Sequence, residues 1–164
     1  MATIIVVAMA LVMLFGFVVW VGAPYVPTLR PQAQAALKLL DLQPGQTLLE
    51  LGSGDGRVAK TAAKAGIRVT CIELNPLLVI YSKLFTWRYR KLVTIHWGNM
   101  WTTRWPEEPD AIYVFLLDRF MPKLDKKITQ KYSGKKIKLV SFAFQIPDRT
   151  PVKEREGIYL YQYK

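Results

Sequence analysis

The chain has 164 residues, 51% of them hydrophobic, a formal net charge of +11 at pH 7 and one cysteine. That length supports one domain with a real core and is too short for two. A single cysteine excludes an internal disulfide, no cluster of metal-ligating residues is visible, and no repeat or low-complexity tract appears.

Residues Thr3 to Val21 form an uninterrupted apolar run, with no charge before Arg30. The run is close to the roughly 20 residues that cross a bilayer as a helix. A cleaved signal peptide is the alternative, and Val21-Gly22-Ala23 has the small residues for one, but no Lys or Arg precedes the run and it exceeds a typical signal core. Residues 1–23 are therefore expected to be a retained transmembrane anchor, and 24–164 the folded domain. All charge lies after the anchor, which places the domain on the cytoplasmic side, or the matrix side of a mitochondrial inner membrane. Lys126-Lys127 and Lys135-Lys136-Lys138 could bind RNA. Beside anionic lipid, however, each near-surface cation gains about 1 kcal/mol without nucleic acid, so membrane lipid is the expected partner and nucleic acid is not.

Pro24, Pro27 and Pro31 make a stiff link after the anchor. Apolar residues at helical spacing over Ala33 to Asp41 predict a first helix, and Pro44-Gly45 turns into a strand, Thr47 to Leu51. LLELGSGDGR, Leu48 to Arg57, then reads as a buried strand, a turn of glycine and small polar residues, and the head of a helix. Gly52, Gly54 and Gly56 allow a sharp turn and close approach to a ligand. The helix runs to Ala65 and stops at Gly66. A second strand, Ile67 to Ile72, leads to Glu73, whose carboxylate can accept bonds from both hydroxyls of a ribose. The spacing is G-x-G-x-G with Glu50 before it, and such an acidic turn, with Asp55, repels the pyrophosphate that a helix N-terminus normally takes. It suits a cationic nucleoside such as S-adenosylmethionine. Without a ligand, the same residues make only a tight strand-to-helix turn.

Pro76 opens a helix through Leu77, Tyr81, Leu84 and Phe85 toward Arg90. Leu92 to Trp97 is the third strand, with His96 at its end, and Trp101 to Pro109 is too rich in prolines and acids for the usual crossover helix. Ala111 to Leu116 is a central strand buried on both faces, with Tyr113 in the core. A helix from about Arg119 to Tyr132, a strand from Ile137 to Phe144 and a last antiparallel edge strand, Gly157 to Tyr163, complete the chain. Cys71 is a small buried residue of the second strand. Alternating strands and helices give an α/β fold with an open, mostly parallel, Rossmann-like sheet. Ligands bind beyond the carboxyl ends of such strands, which gathers the Gly52 turn, Glu73, Asn99-Met100 and Leu116 at one rim.

These features resemble the class I, seven-strand methyltransferases. PYVPT at Pro24 to Thr28, LGSGDGR at Leu51 to Arg57, ELNP at Glu73 to Pro76 and FMPKLDKKI at Phe120 to Ile128 narrow the likeness. They are similar to the membrane-anchored lysine methyltransferases that modify the mitochondrial ADP/ATP carrier and the ATP synthase c subunit, with their prokaryotic relatives. The resemblance implies S-adenosyl-L-methionine as cofactor. Tyr25 and Thr28 then fold over its methionine part, and Glu50 with Gly52, Ser53 and Gly54 surrounds its amino acid moiety and ribose. Glu73 takes the ribose hydroxyls, Leu74 the adenine face, and Asn99 with Met100 the adenine edge, and Asn75 and Gly56 are counted with them as cofactor-binding. Leu74 and Met100 can equally be core, and Tyr25 an interfacial residue. Only about twenty residues follow the strand through Phe144, so one helix and one closing strand of the full fold are expected to be missing or reduced.

The function these readings imply is a tethered methyltransferase acting on a lysine of an integral membrane protein. The alternatives are methylation of a lipid-soluble small molecule, a non-catalytic scaffold that keeps the fold, and, from the charge, RNA methylation. Asp118, just past the fourth strand, and then Asp55 are the candidate bases, although either can simply start a helix. No N-P-P-Y or D-P-P-Y sequence follows the fourth strand, which argues against methylation of base or glutamine amino groups.

Overall fold

The computed structural model describes residues 1, 3–6, 9 and 28–164. The expected anchor therefore lies mostly outside the described residues, among which no helix is long and apolar enough to cross a membrane. The order of elements is α1 (Arg30–Leu40), β1 (Thr47–Leu51), α2 (Arg57–Lys64), β2 (Arg68–Glu73), α3 (Pro76–Phe85), β3 (Val93–Trp97) and β4 (Ala111–Val114). Then come α4 (Met121–Lys131), β5 (Ile137–Phe142), β6 (Lys153–Arg155) and β7 (Ile158–Tyr163). Prolines in the first turns of α1, α3 and α4 occupy the positions where a missing N–H costs nothing.

The strands form one seven-stranded sheet in the order β3-β2-β1-β4-β5-β7-β6. The first five are parallel, and β7 runs antiparallel to both β5 and β6. One face buries Ala33, Ala36, Leu40, Val58, Ala59 and Ala62 of α1 and α2 against the sheet. On the other, Met121, Leu124 and Ile128 of α4 pack over Leu49, Leu51, Ile112 and Val114. The alternation of side chains along β1 and β4 feeds both cores, which is why these strands are apolar apart from Thr47 and Glu50.

Several boundaries differ from the sequence reading. The helix expected to reach Arg90 ends at Phe85, where Thr86 turns its hydroxyl back to the Ser82 carbonyl and a 3₁₀ turn, Trp87–Tyr89, follows. The next helix starts two residues late, after a 3₁₀ turn at Asp118–Phe120. The fifth strand stops at Phe142 because Ala143 takes a φ of 70° and the Ser141 hydroxyl donates to the Phe144 carbonyl at 2.6 Å. The last strand is not the edge: β6, only three residues long, covers it. The closing strand is thus reduced, and no helix lies between β5 and β6.

Between β3 and β4 the expected loop replaces a crossover helix. Trp105, buried, fills the space that such a helix would cover and donates its Nε1–H to the Met100 carbonyl at 2.8 Å. Lys127 of α4 donates to the carbonyls of Met100 and Trp101, each at 2.7 Å, and lies over the Trp105 ring. One lysine of the cluster expected to meet lipid is therefore engaged inside the fold, and Lys138 is likewise bonded to the Leu40 carbonyl.

Candidate functional site

The site is built where β1 and β2 end side by side. Gly52, Gly54 and Gly56 all lie in the left-handed region, with φ of 73°, 56° and 78°. Gly52 is exposed, and a Cβ added there would meet nothing within 4 Å, so the space above the turn is open to a ligand. At Gly56 the constraint is the reverse: a Cβ would come 3.0 Å from Ser82 Cβ, because α3 packs tightly on the head of α2. The turn is also held from below, by Gly52 N–H and Ser53 N–H donating to the Ile72 carbonyl at 2.8 and 3.3 Å.

Glu73 ties the two strand ends together. Its Oε2 accepts from Gly54 N–H at 2.7 Å and its Oε1 from Asn75 N–H at 2.8 Å. An ionised carboxylate has about four acceptor positions, so roughly two remain for the adjacent hydroxyls of a ribose. Asn75 caps α3 by accepting from Leu77 N–H, and the Leu74 carbonyl accepts from Trp97 Nε1–H at 3.0 Å. On the neighbouring strand end, Asn99 Oδ1 accepts from Trp101 N–H, and Met100 packs against the second core while its carbonyl is held by Trp105 and Lys127.

Glu50 lies fully buried beneath the turn. Burial raises its carboxyl from the usual 4.5 to about 8, the Cys71 S–H donating at 3.6 Å opposes the shift, and the negative Asp55 adds to it. Burial likewise pushes the Cys71 thiol up. The Ser53 hydroxyl is enclosed close to that thiol yet makes no hydrogen bond of ordinary geometry. A buried carboxyl and an unpaired hydroxyl under an open glycine turn leave polar capacity for a ligand that carries an ammonium, and these residues fit such a group.

Of the other residues singled out in the sequence, Tyr25 lies outside the described residues. Thr28 is buried, hydrogen-bonded through its hydroxyl to Tyr113 OH at 3.1 Å, and its carbonyl accepts from Arg57 Nη1 at 2.9 Å. Asp55 is paired with Arg57 at 2.6 Å and also accepts its backbone N–H. Asp118 is exposed at the start of the 3₁₀ turn beyond β4. Sequence reasoning missed Arg57 and placed Tyr113 only in the core. Arg57 joins Asp55 of the turn to the segment ahead of α1, and the only hint of this was its position two residues after an acid. Tyr113, whose hydroxyl burial pushes far above its usual range, secures that segment from the sheet.

Comparison with known proteins adds the family. The model of the ANTKMT methyltransferase domain matches residues 50–153. The lysine N-methyltransferase of the ATP synthase c subunit from Rattus norvegicus is 30% identical over 143 residues, 84% of this chain and 65% of that protein. The adenine nucleotide translocase lysine N-methyltransferase of Mus musculus is 33% identical over 132 residues, 79% of this chain and 56% of that protein. The chain thus spans between about half and two thirds of the length of these relatives. Among solved structures, an RNA methyltransferase from Salinibacter ruber in complex with S-adenosyl-L-homocysteine superimposes with a TM-score of 0.73 at 26% identity, covering 84% of this chain and 92% of that one.

Glu73→Gln leaves one acceptor where two N–H groups converge, and calorimetry with S-adenosyl-L-homocysteine should show affinity lower by about 10- to 100-fold; an unchanged affinity removes Glu73 from the site. For Glu50 the folded pKa lies above the unfolded one. Its contribution to stability is therefore fully present below pH 4.5 and is lost as pH rises through about 8. In urea melts across that window the wild type should lose stability relative to Glu50→Gln, and parallel curves would show that the carboxyl is not held protonated.

Proposed function

The chain belongs to the ANTKMT methyltransferase domain family, and from that premise we propose that it is an S-adenosylmethionine-dependent protein-lysine N-methyltransferase, held to a membrane by residues 1–23 and acting on an integral membrane protein. The observation that carries this reading is the family match over residues 50–153, which takes in the glycine turn, Glu73 and Asn99 together. The names of the rat and mouse relatives support lysine as acceptor and membrane proteins as targets. The apolar run and the cationic remainder of the chain support a domain on the cytoplasmic or matrix side.

When bound, the cofactor supplies a methyl carbon already activated by the positive charge on sulfur, which leaves as a neutral thioether. The chain has to hold acceptor and methyl in line, and alignment of that kind can remove about 7 to 11 kcal/mol of barrier. Glu73 would hold the ribose hydroxyls, Leu74 would lie on the adenine face, Asn99 with Met100 would meet the adenine edge, and Glu50 would serve the ammonium end from beneath the turn. A lysine acceptor must first lose a proton, which costs about 4 to 5 kcal/mol at neutral pH. Desolvation beside a second positive charge lowers that cost. Asp118, exposed beyond the end of β4, is the first candidate to receive the proton, whereas Asp55 is engaged by Arg57. A tether serves this chemistry by raising the effective concentration of a target confined to the bilayer.

RNA methylation is the second reading, favoured by the Salinibacter ruber neighbour and the net charge of +11. Intact-mass comparison of membrane proteins from cells with and without the gene separates the two. Whole methyl units on one lysine of a membrane protein are the expected result. Labelled methyl in RNA with a steep salt dependence would replace it with the second reading, label in the organic extract would indicate a lipid-soluble acceptor, and cofactor binding without turnover would indicate a scaffold. Asp118→Asn is expected to lower kcat by about a hundredfold with KM little changed; a full-speed variant would leave deprotonation to desolvation alone.

A further inference from the structure

Helix α3 presents its apolar face to solvent. Leu77, Ile80, Tyr81 and Leu84 recur at helical spacing and Trp87 continues their line; each is more than half exposed, Leu84 by 71%. The helix packs inward instead through Val79 and Ser82, on the opposite side. Trp97, 69% exposed at the end of β3, extends the patch to the cofactor rim. A run of this kind normally marks the side of a helix turned to the core, and here it marks the other.

The charge around the patch identifies its partner. From Pro76 to Pro106 there is no acidic residue, while Lys83, Arg88, Arg90, Lys91 and Arg104 lie in that span. A second copy of the chain would bring like charges together across the contact. Apolar side chains with tryptophans among them, in a stretch whose only charged residues are cations, are the composition of a helix that lies in the headgroup region of a bilayer with anionic lipid. The direction of the chain agrees. Thr28, where the apolar N-terminal run feeds into the fold, is bonded to Tyr113 and to Arg57 at the head of α2, at the rim from which α3 starts.

We propose that the exposed face of α3, with Trp87 and Trp97, docks on an anionic lipid surface and turns the cofactor rim toward it. This rests on the tethered reading above and adds an orientation to it: the acceptor lysine is met at headgroup depth, where the ends of β2 and β3 face the lipid.

The test uses the full chain reconstituted into phosphatidylcholine vesicles containing phosphatidylglycerol. A fluorophore is placed by Leu84→Cys and, as a control on exposed Gln130 of α4, by Gln130→Cys; native Cys71 is buried and stays unlabelled. Nitroxide lipids should quench the label at 84 about threefold or more strongly than that at 130, aqueous iodide the reverse, and the difference should shrink without anionic lipid. Adding Leu77→Lys and Ile80→Lys, with the label kept at 84 and circular dichroism unchanged, should abolish it. A chain that floats with vesicles while both labels answer alike to iodide keeps the tether and overturns the docking. A label at 84 shielded from both quenchers points to a protein occupant and overturns it as well. A chain that does not float overturns both.

Discussion

One carboxylate organises the ligand end of this fold. Glu73 receives the N–H of Gly54 from the first strand's turn and the N–H of Asn75 from its own, one on each oxygen. Charge-assisted bonds of this kind are roughly twice as strong as neutral ones. Remove the carboxylate and two backbone donors in a nearly buried place lose their acceptor together. The same oxygens retain capacity for hydroxyls, so the group that shapes the cradle is also the one that can read a ribose.

The surroundings of Glu73 show how a small fold supports such a point. Gly56 lets α3 close on α2 to a distance no side chain would allow, and α3 in turn delivers Asn75 as its cap. Glu50, one strand over, has its carboxyl raised well above the usual carboxylate range by burial. Arg57 then neutralises Asp55 and reaches the Thr28 carbonyl, so that the chain entering from the N-terminal run is bonded to the cradle itself. The glycine turn and the segment ahead of α1 thereby share a set of hydrogen bonds.

Elsewhere the shortened fold relies on aromatics and lysines. The crossover between β3 and β4 has no helix, and Trp105, Tyr132 and Lys127 close the gap by bonding to its backbone carbonyls. The C-terminal end keeps only a three-residue β6, which still shields β7 from being a bare edge. These reductions leave β1, β2 and the turn between them intact.

Much of this was legible in the residues. The alternation of strands and helices, the three glycines and the spacing to Glu73 depend on local backbone sterics and on the period of each element, which a sequence carries directly. The loop from Trp101 to Pro109 was legible for the same reason. What the sequence could not decide were pairings across large separations: Arg57 with Thr28, Tyr113 with Thr28, Lys127 with Met100, and β6 beside β7. Nor could it say which way α3 faces, since periodicity in Leu77, Tyr81 and Leu84 declares a face without declaring what covers it. Only the packing of Ser82 against Gly56 settles that, because the small residues take the inner side and the large apolar ones are left outside.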